Sequence, residues 1–490
     1  MIWAVLLVPS VAGLLAMLIP MRSAPRWLLM TAAAAHITLV AGLWVRPSPA
    51  SHWIAADLPG RLFLTITSVL FLAMAFYTIG YLRRESGKAI KDFQEGFLFT
   101  NKPEATFIGC LLFFLATMSL ATLSQHPGLL WIAVEATTLV SAPLIYFHRH
   151  HRSLEATWKY LLICSVGIAL ALLGNFFLVI AAKGKAIGLD LANLQAHATA
   201  LNPVWLKAAF VLFVVGYGTK MGLAPMHNWL PDAHSEAPSV VSALLSGALL
   251  NCAFLAILRF HGILSAAGLG DFSSQILVLF GFISMATAAV FLIRQTDAKR
   301  MLAYSSIEHM GILALGTGIG GIAASGALLH AISHSLAKAM LFLTAGNLMH
   351  LYNTKDILKI RGVLQVAPVT GTLWVAGFLA IAGFPPFGLF LSELTILTGA
   401  LESGRWLVAS GYLLTLGIIF VALTRIFLTM SFGINESWDH ARISDRGMRE
   451  PSWSLLPGIA LGAGVLALGL YVPPKLWQCI QDAVLAIGVH

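Results

Sequence analysis

Charge is scarce in this 490-residue chain: 30 Lys and Arg plus 21 Asp and Glu make up 10% of it, against about 25% in an average globular protein. So few charged side chains cannot cover a body of this size in water, which excludes a soluble fold; lipid demands no such cover. Cysteine is scarce too. Cys110, Cys164, Cys252 and Cys479 form no C-x-x-C pair and three of them lie in apolar stretches, which argues against a disulfide framework or an iron–sulfur centre. No G-x-x-x-x-G-K-[ST] phosphate loop is present, so ATP-driven pumping lacks support. No redox centre or other cofactor is expected on this chain.

Apolar residues are abundant, at 58% of the chain. Runs of about 18 to 25 residues, enough for a helix to cross roughly 30 Å of hydrocarbon, recur from end to end. Fourteen are expected, at 2–20, 27–45, 62–81, 105–124, 128–147, 156–182, 205–223, 237–258, 273–293, 301–320, 322–349, 366–400, 406–430 and 453–472. The fold class is therefore an all-α polytopic membrane protein with no stretch left for a soluble domain. The first run begins at Ile2 with no basic residue ahead of it, which favours a retained span over a cleaved signal peptide.

The net charge of +9 follows the loops rather than pointing to nucleic acid. Odd-numbered loops hold eighteen Lys and Arg, among them Arg22, Lys88, Arg442, Arg446 and Arg449, whereas even-numbered loops hold six. The positive-inside rule puts the odd loops in the cytoplasm and both termini on the outer side of the cell inner (plasma) membrane.

Subtracting the loops leaves Glu135, Glu308, Glu393, Lys159, Lys207, Lys220, Lys338 and Arg425 within or at the ends of apolar runs. A charge at the bilayer centre costs at least about 2.5 kcal/mol, so such groups face a bundle interior, pair, or line an ion path. Lys159 and Lys207 lie near span ends and can snorkel to the interface. Lys220 is too deep for that. Pro225 lacks an amide proton and Gly218 and Gly222 flank the lysine, so helix 7 is expected to break just past it. Helix 12 repeats the device, with Pro385 and Pro386 at the break and Glu393 after it. Two interrupted helices five spans apart mark a transporter built from two repeats, and a repeat of five spans must be inverted in the membrane. The fifth and tenth runs, equivalent under that repeat, carry Glu135 and Glu308. The chain then divides into helices 1–3 with a cytoplasmic loop (1–104), a first five-helix repeat of helices 4–8 (105–262), a second of helices 9–13 (263–432), and a C-terminal loop with helix 14 (433–490).

The eleventh run stacks His330, His334 and Lys338 at i, i+4 and i+8 on one helical face. Two histidines at that spacing can hold zinc, but no H-E-x-x-H glutamate accompanies them and the lysine would repel the ion, so no metal is assigned. Core histidines held by hydrogen bonds are the plain alternative; imidazole's titration near neutral pH favours a proton relay. His148, His150 and His151, beside Arg149 and Arg152, read as a solvated surface loop without chemistry.

The stretches GYGTKMGLAPMHNWLPDAHSEAPSVVSALLSGALLNCAFLAILR (216–259), DAKRMLAYSSIEHMG (297–311) and HAISHSLAKAMLFLTAGN (330–347) resemble the antiporter-like subunits of respiratory complex I, Mrp antiporters and group 4 membrane-bound hydrogenases. The wording IEHMG and LLNCAFLAILR is most similar to the hydrogenase-4 branch, of formate hydrogenlyase type. The resemblance covers spans four to thirteen and implies a 14-helix fold with inverted repeats. It also implies that Glu135 pairs with Lys220, that His330, His334 and Lys338 form the central relay, and that Glu393 is the terminal acid. Lys207, Asn251, Glu308 and Arg425 are secondary candidates. Asn251 is a departure, because many members of the family carry lysine in the eighth span. The function expected is proton translocation by a non-catalytic membrane subunit of a redox-driven complex, whose partners are other membrane subunits and a peripheral hydrogenase or quinone-reductase arm. The alternative is a cation/proton antiporter or bicarbonate-uptake module without redox coupling.

Overall fold

The computed structural model describes residues 1–19, 23–46, 51–85, 89–91, 96, 98–432 and 450–488. Arg22, Lys88, Arg442, Arg446 and Arg449, counted above among the odd-loop bases, lie outside the described residues. A helix stands on every apolar run. The first half holds α1 (Ile2–Leu18), α2 (Ala24–Val45), α3 (Leu58–Glu85), α4 (Glu104–Leu123), α5 (Pro127–Ile145), α6 (His151–Ala181), the short α7 (Leu191–Ala196), α8 (Pro203–Met221), α9 (Trp229–Glu236) and α10 (Ser239–Ala266). The second half holds α11 (Gly270–Leu292), α12 (Ala298–Ile319), α13 (Gly321–Tyr352), the single turn α14 (Val363–Val366), α15 (Pro368–Ile381), α16 (Gly388–Glu402), α17 (Trp406–Phe432), α18 (Ser452–Leu470) and α19 (Pro474–Ile487). Among the described residues, eleven helices are long and apolar enough to cross a membrane, and α1 and α15 are shorter apolar helices.

Burial separates inner from outer helices. The most apolar stretch of α10 is 100% buried and that of α13 89%, whereas those of α2 and α17 are 33% buried. The outer helices therefore leave a broad apolar surface for lipid, and α10 and α13 form the core against which both halves pack. Close backbone approach needs small residues, as is usual where helices meet in lipid. Gly281 of α11 faces Gly311 of α12, where an added Cβ on either would sit 2.8 Å from the other's carbonyl oxygen.

Both expected breaks are present, and at each the freed backbone is satisfied inside the protein, as hydrocarbon requires. Helix α8 starts at Asn202, whose side chain accepts the amides of Val204 and Trp205, and ends at Gly222 with φ +83°. Beyond it, the Ala224 amide donates to Ser284 Oγ (3.0 Å) and the Trp229 indole donates to the Thr219 carbonyl (2.8 Å). At the second break α15 ends at Ile381 and α16 begins at Gly388, with Gly383 at φ +61° between them.

Three features go beyond the sequence-based expectations. A hairpin pairs β1 (Ala89–Lys91) with β2 (Leu98–Thr100). Helix α19 follows α18 and buries Ile480, Ala483, Val484 and Ile487, the spacing of an amphipathic stripe. The 148–151 segment is more than a solvated loop: His148 bonds Asn101 (2.9 Å) and His150 caps α6 by accepting the Ser153 amide (3.1 Å).

Candidate proton-conducting row

The first half centres on Lys220, in the last turn of α8 and fully buried. Its ammonium donates to Tyr160 Oη (2.6 Å) and Thr138 Oγ1 (2.8 Å) and faces the Tyr160 ring at 4.5 Å. The Ser141 hydroxyl donates to the Thr137 carbonyl (2.6 Å), so Tyr160 donates to Ser141 (2.6 Å) and is left to accept from Lys220. Thr138 in turn donates to Glu135 Oε2 (3.3 Å), and Ser165 donates to the other carboxylate oxygen (2.9 Å). The acid and the base are thus joined through one hydroxyl rather than by direct contact, which turns a static ion pair into a hydrogen-bonded chain.

Between the halves lies Asn251 on α10, buried next to a π turn at Leu245–Leu249. Its amide donates to Gly247 O (2.9 Å) and to Ser335 Oγ (2.7 Å) on α13. Ser335 directly follows His334, so the asparagine touches the helix that carries the histidines.

The second half brings together groups from α12, α13 and α16. Lys338 is buried and donates to the Leu302 carbonyl (3.0 Å). His309 Nδ1 lies 3.0 Å from His330 Nε2, and His330 Nδ1 lies 2.9 Å from Ser392 Oγ. The Ser392 hydroxyl donates to the Leu389 carbonyl (2.8 Å), so it accepts from His330 Nδ1–H; His330 Nε2 then carries the lone pair and His309 donates to it. The His334 ring lies tilted at 57° to that of His309, with the two centroids 4.8 Å apart. Glu308 and Glu393 are both buried and line one cavity of about 310 Å³ with Gly383 and Tyr412.

The family model described as NADH:quinone oxidoreductase/Mrp antiporter, TM, matches residues 124–419, a span that contains every one of these groups. The chain belongs to this family. A hydrogenase-4 component F homolog of Methylacidiphilum infernorum (isolate V4) is 40% identical over 374 residues, 74% of this chain and 75% of the relative. NADH-quinone oxidoreductase subunit N of Desulforudis audaxviator (strain MP104C) is 32% identical over 368 residues, 72% of each chain. Among solved structures, the membrane-bound sulfane sulfur reductase (MBS), an archaeal respiratory membrane complex, shares the fold at a TM-score of 0.86 and 20% identity, over 100% of this chain and 98% of that one.

Within this antiporter-family fold the six principal candidates fall into two clusters. Glu135 and Lys220 meet through Thr138; His330, His334, Lys338 and Glu393 gather on α13 and α16. Of the secondary candidates, Glu308 is buried and shares a cavity with Glu393, and Asn251 bridges α10 and α13. Lys207 lies half-buried over the Phe272 ring (5.1 Å), and Arg425 is exposed on α17 in a groove with Leu414, Ile418 and Val421, so neither joins the buried row. Lys159, near a span end, pairs with Asp232 (3.0 Å) and Glu155 (2.6 Å). Sequence reasoning missed Thr138, Tyr160, Ser165, Ser392, Tyr412 and His309. Only His309 carried a signal, next to Glu308 in an apolar run; hydroxyl residues in helices are too common to stand out.

A separate charge cluster anchors the second half of the first broken helix. Lys355 donates to Ser235 (2.7 Å) and Glu236 (2.5 Å) and lies 3.4 Å from Asp297, while Asp232 pairs with Arg300 and Lys159. Those contacts tie α9 to α6, to the start of α12 and to the segment after α13.

Proposed function

We propose that this chain translocates protons as the antiporter-like membrane subunit of a redox-driven respiratory complex, of membrane-bound hydrogenase or NADH:quinone oxidoreductase type. The observation that carries the reading is the set of buried ionisable and hydroxyl groups gathered around both broken helices, an arrangement that hydrocarbon penalises and a proton path requires. The hydrogenase-4 and NADH-quinone oxidoreductase relatives favour redox coupling over a free-standing antiporter or bicarbonate module.

In the working cycle, the Thr138 bridge holds the Lys220 proton while Glu135 stays close. A movement driven by electron transfer in the partner arm draws Glu135 away, and the proton passes toward the histidines, Lys338 and Glu393. Fourteen crossings follow: the eleven long apolar helices, α1, α12, and α15 with α16 as one broken span. Ten of them form two inverted five-helix repeats, 105–262 and 263–432, with the odd loops in the cytoplasm and both termini outside the inner membrane. The partners are further membrane subunits and a peripheral hydrogenase or quinone-reductase arm.

The test is mass spectrometry of the native detergent-solubilised complex, coupled to proton flux in proteoliposomes. Co-purifying hydrogenase or quinone-reductase subunits are expected, and Lys220→Ala and Glu393→Gln are expected to abolish flux while leaving electron transfer. Undiminished flux in both variants refutes the relay; recovery of small antiporter subunits alone refutes the redox coupling.

A further inference from the structure

The zinc pattern that fails on one helix at His330, His334 and Lys338 reappears on a different set of residues once the chain is folded. His309 of α12, His330 of α13 and Glu393 of α16 present ligand atoms all within 4.8 Å of one another, and all three residues are buried. Here a carboxylate stands where the one-helix pattern offered only a lysine. Two nitrogen donors on a tetrahedral zinc at about 2.0–2.1 Å sit about 3.3 Å apart. The His309 Nδ1 to His330 Nε2 separation is 3.0 Å, so a small opening of that pair admits the ion.

The remaining chemistry agrees with a metal site. Ser392 already accepts from His330 Nδ1–H, the outer-sphere hydrogen bond that orients a metal-binding imidazole and leaves Nε2 free to coordinate. Among the described residues, His309 Nε2 and Glu393 Oε1 are buried without a hydrogen-bond partner. The first can take up the ring proton that Nδ1 gives up, and the second can turn toward an ion. Glu308 lies on the same cavity as Glu393, so a second carboxylate adds negative charge beside the site, against the cation of Lys338 nearby. That cavity, between α12, the second break, α16 and α17, gives the Glu393 carboxylate room to turn.

We propose that His309, His330 and Glu393 form a binding site for a divalent transition-metal cation of the Zn²⁺ class. The ion replaces the hydrogen bond between the two imidazoles and takes a carboxylate oxygen. If the proton path proposed above is right, occupancy also stops conduction through it, and this consequence alone rests on that reading.

The experiment uses the purified whole complex, loaded with Zn²⁺, desalted, and studied by metal analysis, zinc-edge X-ray absorption and proton flux. One retained zinc per chain is expected, with two imidazole nitrogens and one carboxylate oxygen in its coordination shell. His309→Gln is expected to weaken binding at least about tenfold, and Ser392→Ala, which leaves the ligands in place, by a smaller factor. Absence of retained zinc, a shell lacking two imidazoles, or equal binding in wild type and both variants overturns the site. The wild-type spectrum decides the matter even if a variant fails to fold. Zinc bound as described with flux unchanged upholds the site and refutes the proton path instead.

Discussion

Gly383, in the second break, has φ +61°, and a Cβ built on it would lie 2.9 Å from Glu393 Cδ and 3.2 Å from Oε1, with Oε2 closer still. Gly383→Ala therefore does two separable things. It places a side chain in the left-handed region, which costs about 1–2 kcal/mol, and it forces the Glu393 carboxylate, whose Oε2 would stand nearest the new Cβ, to retreat by about 1.5 Å to reach ordinary van der Waals contact. A glutamate end is flexible, so the fold accommodates the retreat, but a proton relay does not: misplacement of about 1 Å at a reacting group costs on the order of 10²-fold in rate. Gly404 supplies the control. Its φ is +68° and a Cβ added there would meet nothing within 4 Å, so Gly404→Ala imposes the same backbone strain without touching any carboxylate. The assay is proton flux per electron transferred in proteoliposomes, alongside thermal unfolding of the complex. Both variants are expected to lose similar stability, and Gly383→Ala alone to lose most of its flux. Equal flux in the two variants refutes the assignment of Glu393's position as decisive.

The first break offers a second measurement: Trp229→Phe removes the indole donor and leaves the buried Thr219 carbonyl with the Gly222 amide alone, which is expected to destabilise the complex by about 1 kcal/mol, read as a lowered Tm. An unchanged Tm would mean that the indole hydrogen bond adds nothing to the break. Lys355→Met strips a buried cation from Glu236 and Asp297 and is expected to cost about 1.5–3 kcal/mol, the range of a hydrogen bond to a charged group; hydrogen exchange should report faster opening of α9, and unchanged protection there refutes the anchoring role of the cluster.

The membrane solvent, the helices and the two breaks were all legible in the sequence, because each is a local property. Apolar length sets a span, Pro225 and the Pro385–Pro386 pair end helices wherever they fall, and a lysine or glutamate in the middle of a run needs no fold to be conspicuous. Which of those charges meet, and through what, depends instead on how helices distant in the chain pack together. Thr138 stands between Glu135 and Lys220 because α5 and α8 leave room for one hydroxyl; Arg425 and Lys207 stay out because their helices turn them away from the core. His309 joins His330 and Glu393 because α12, α13 and α16 converge, a proximity across 84 positions of chain that no periodicity within one helix encodes.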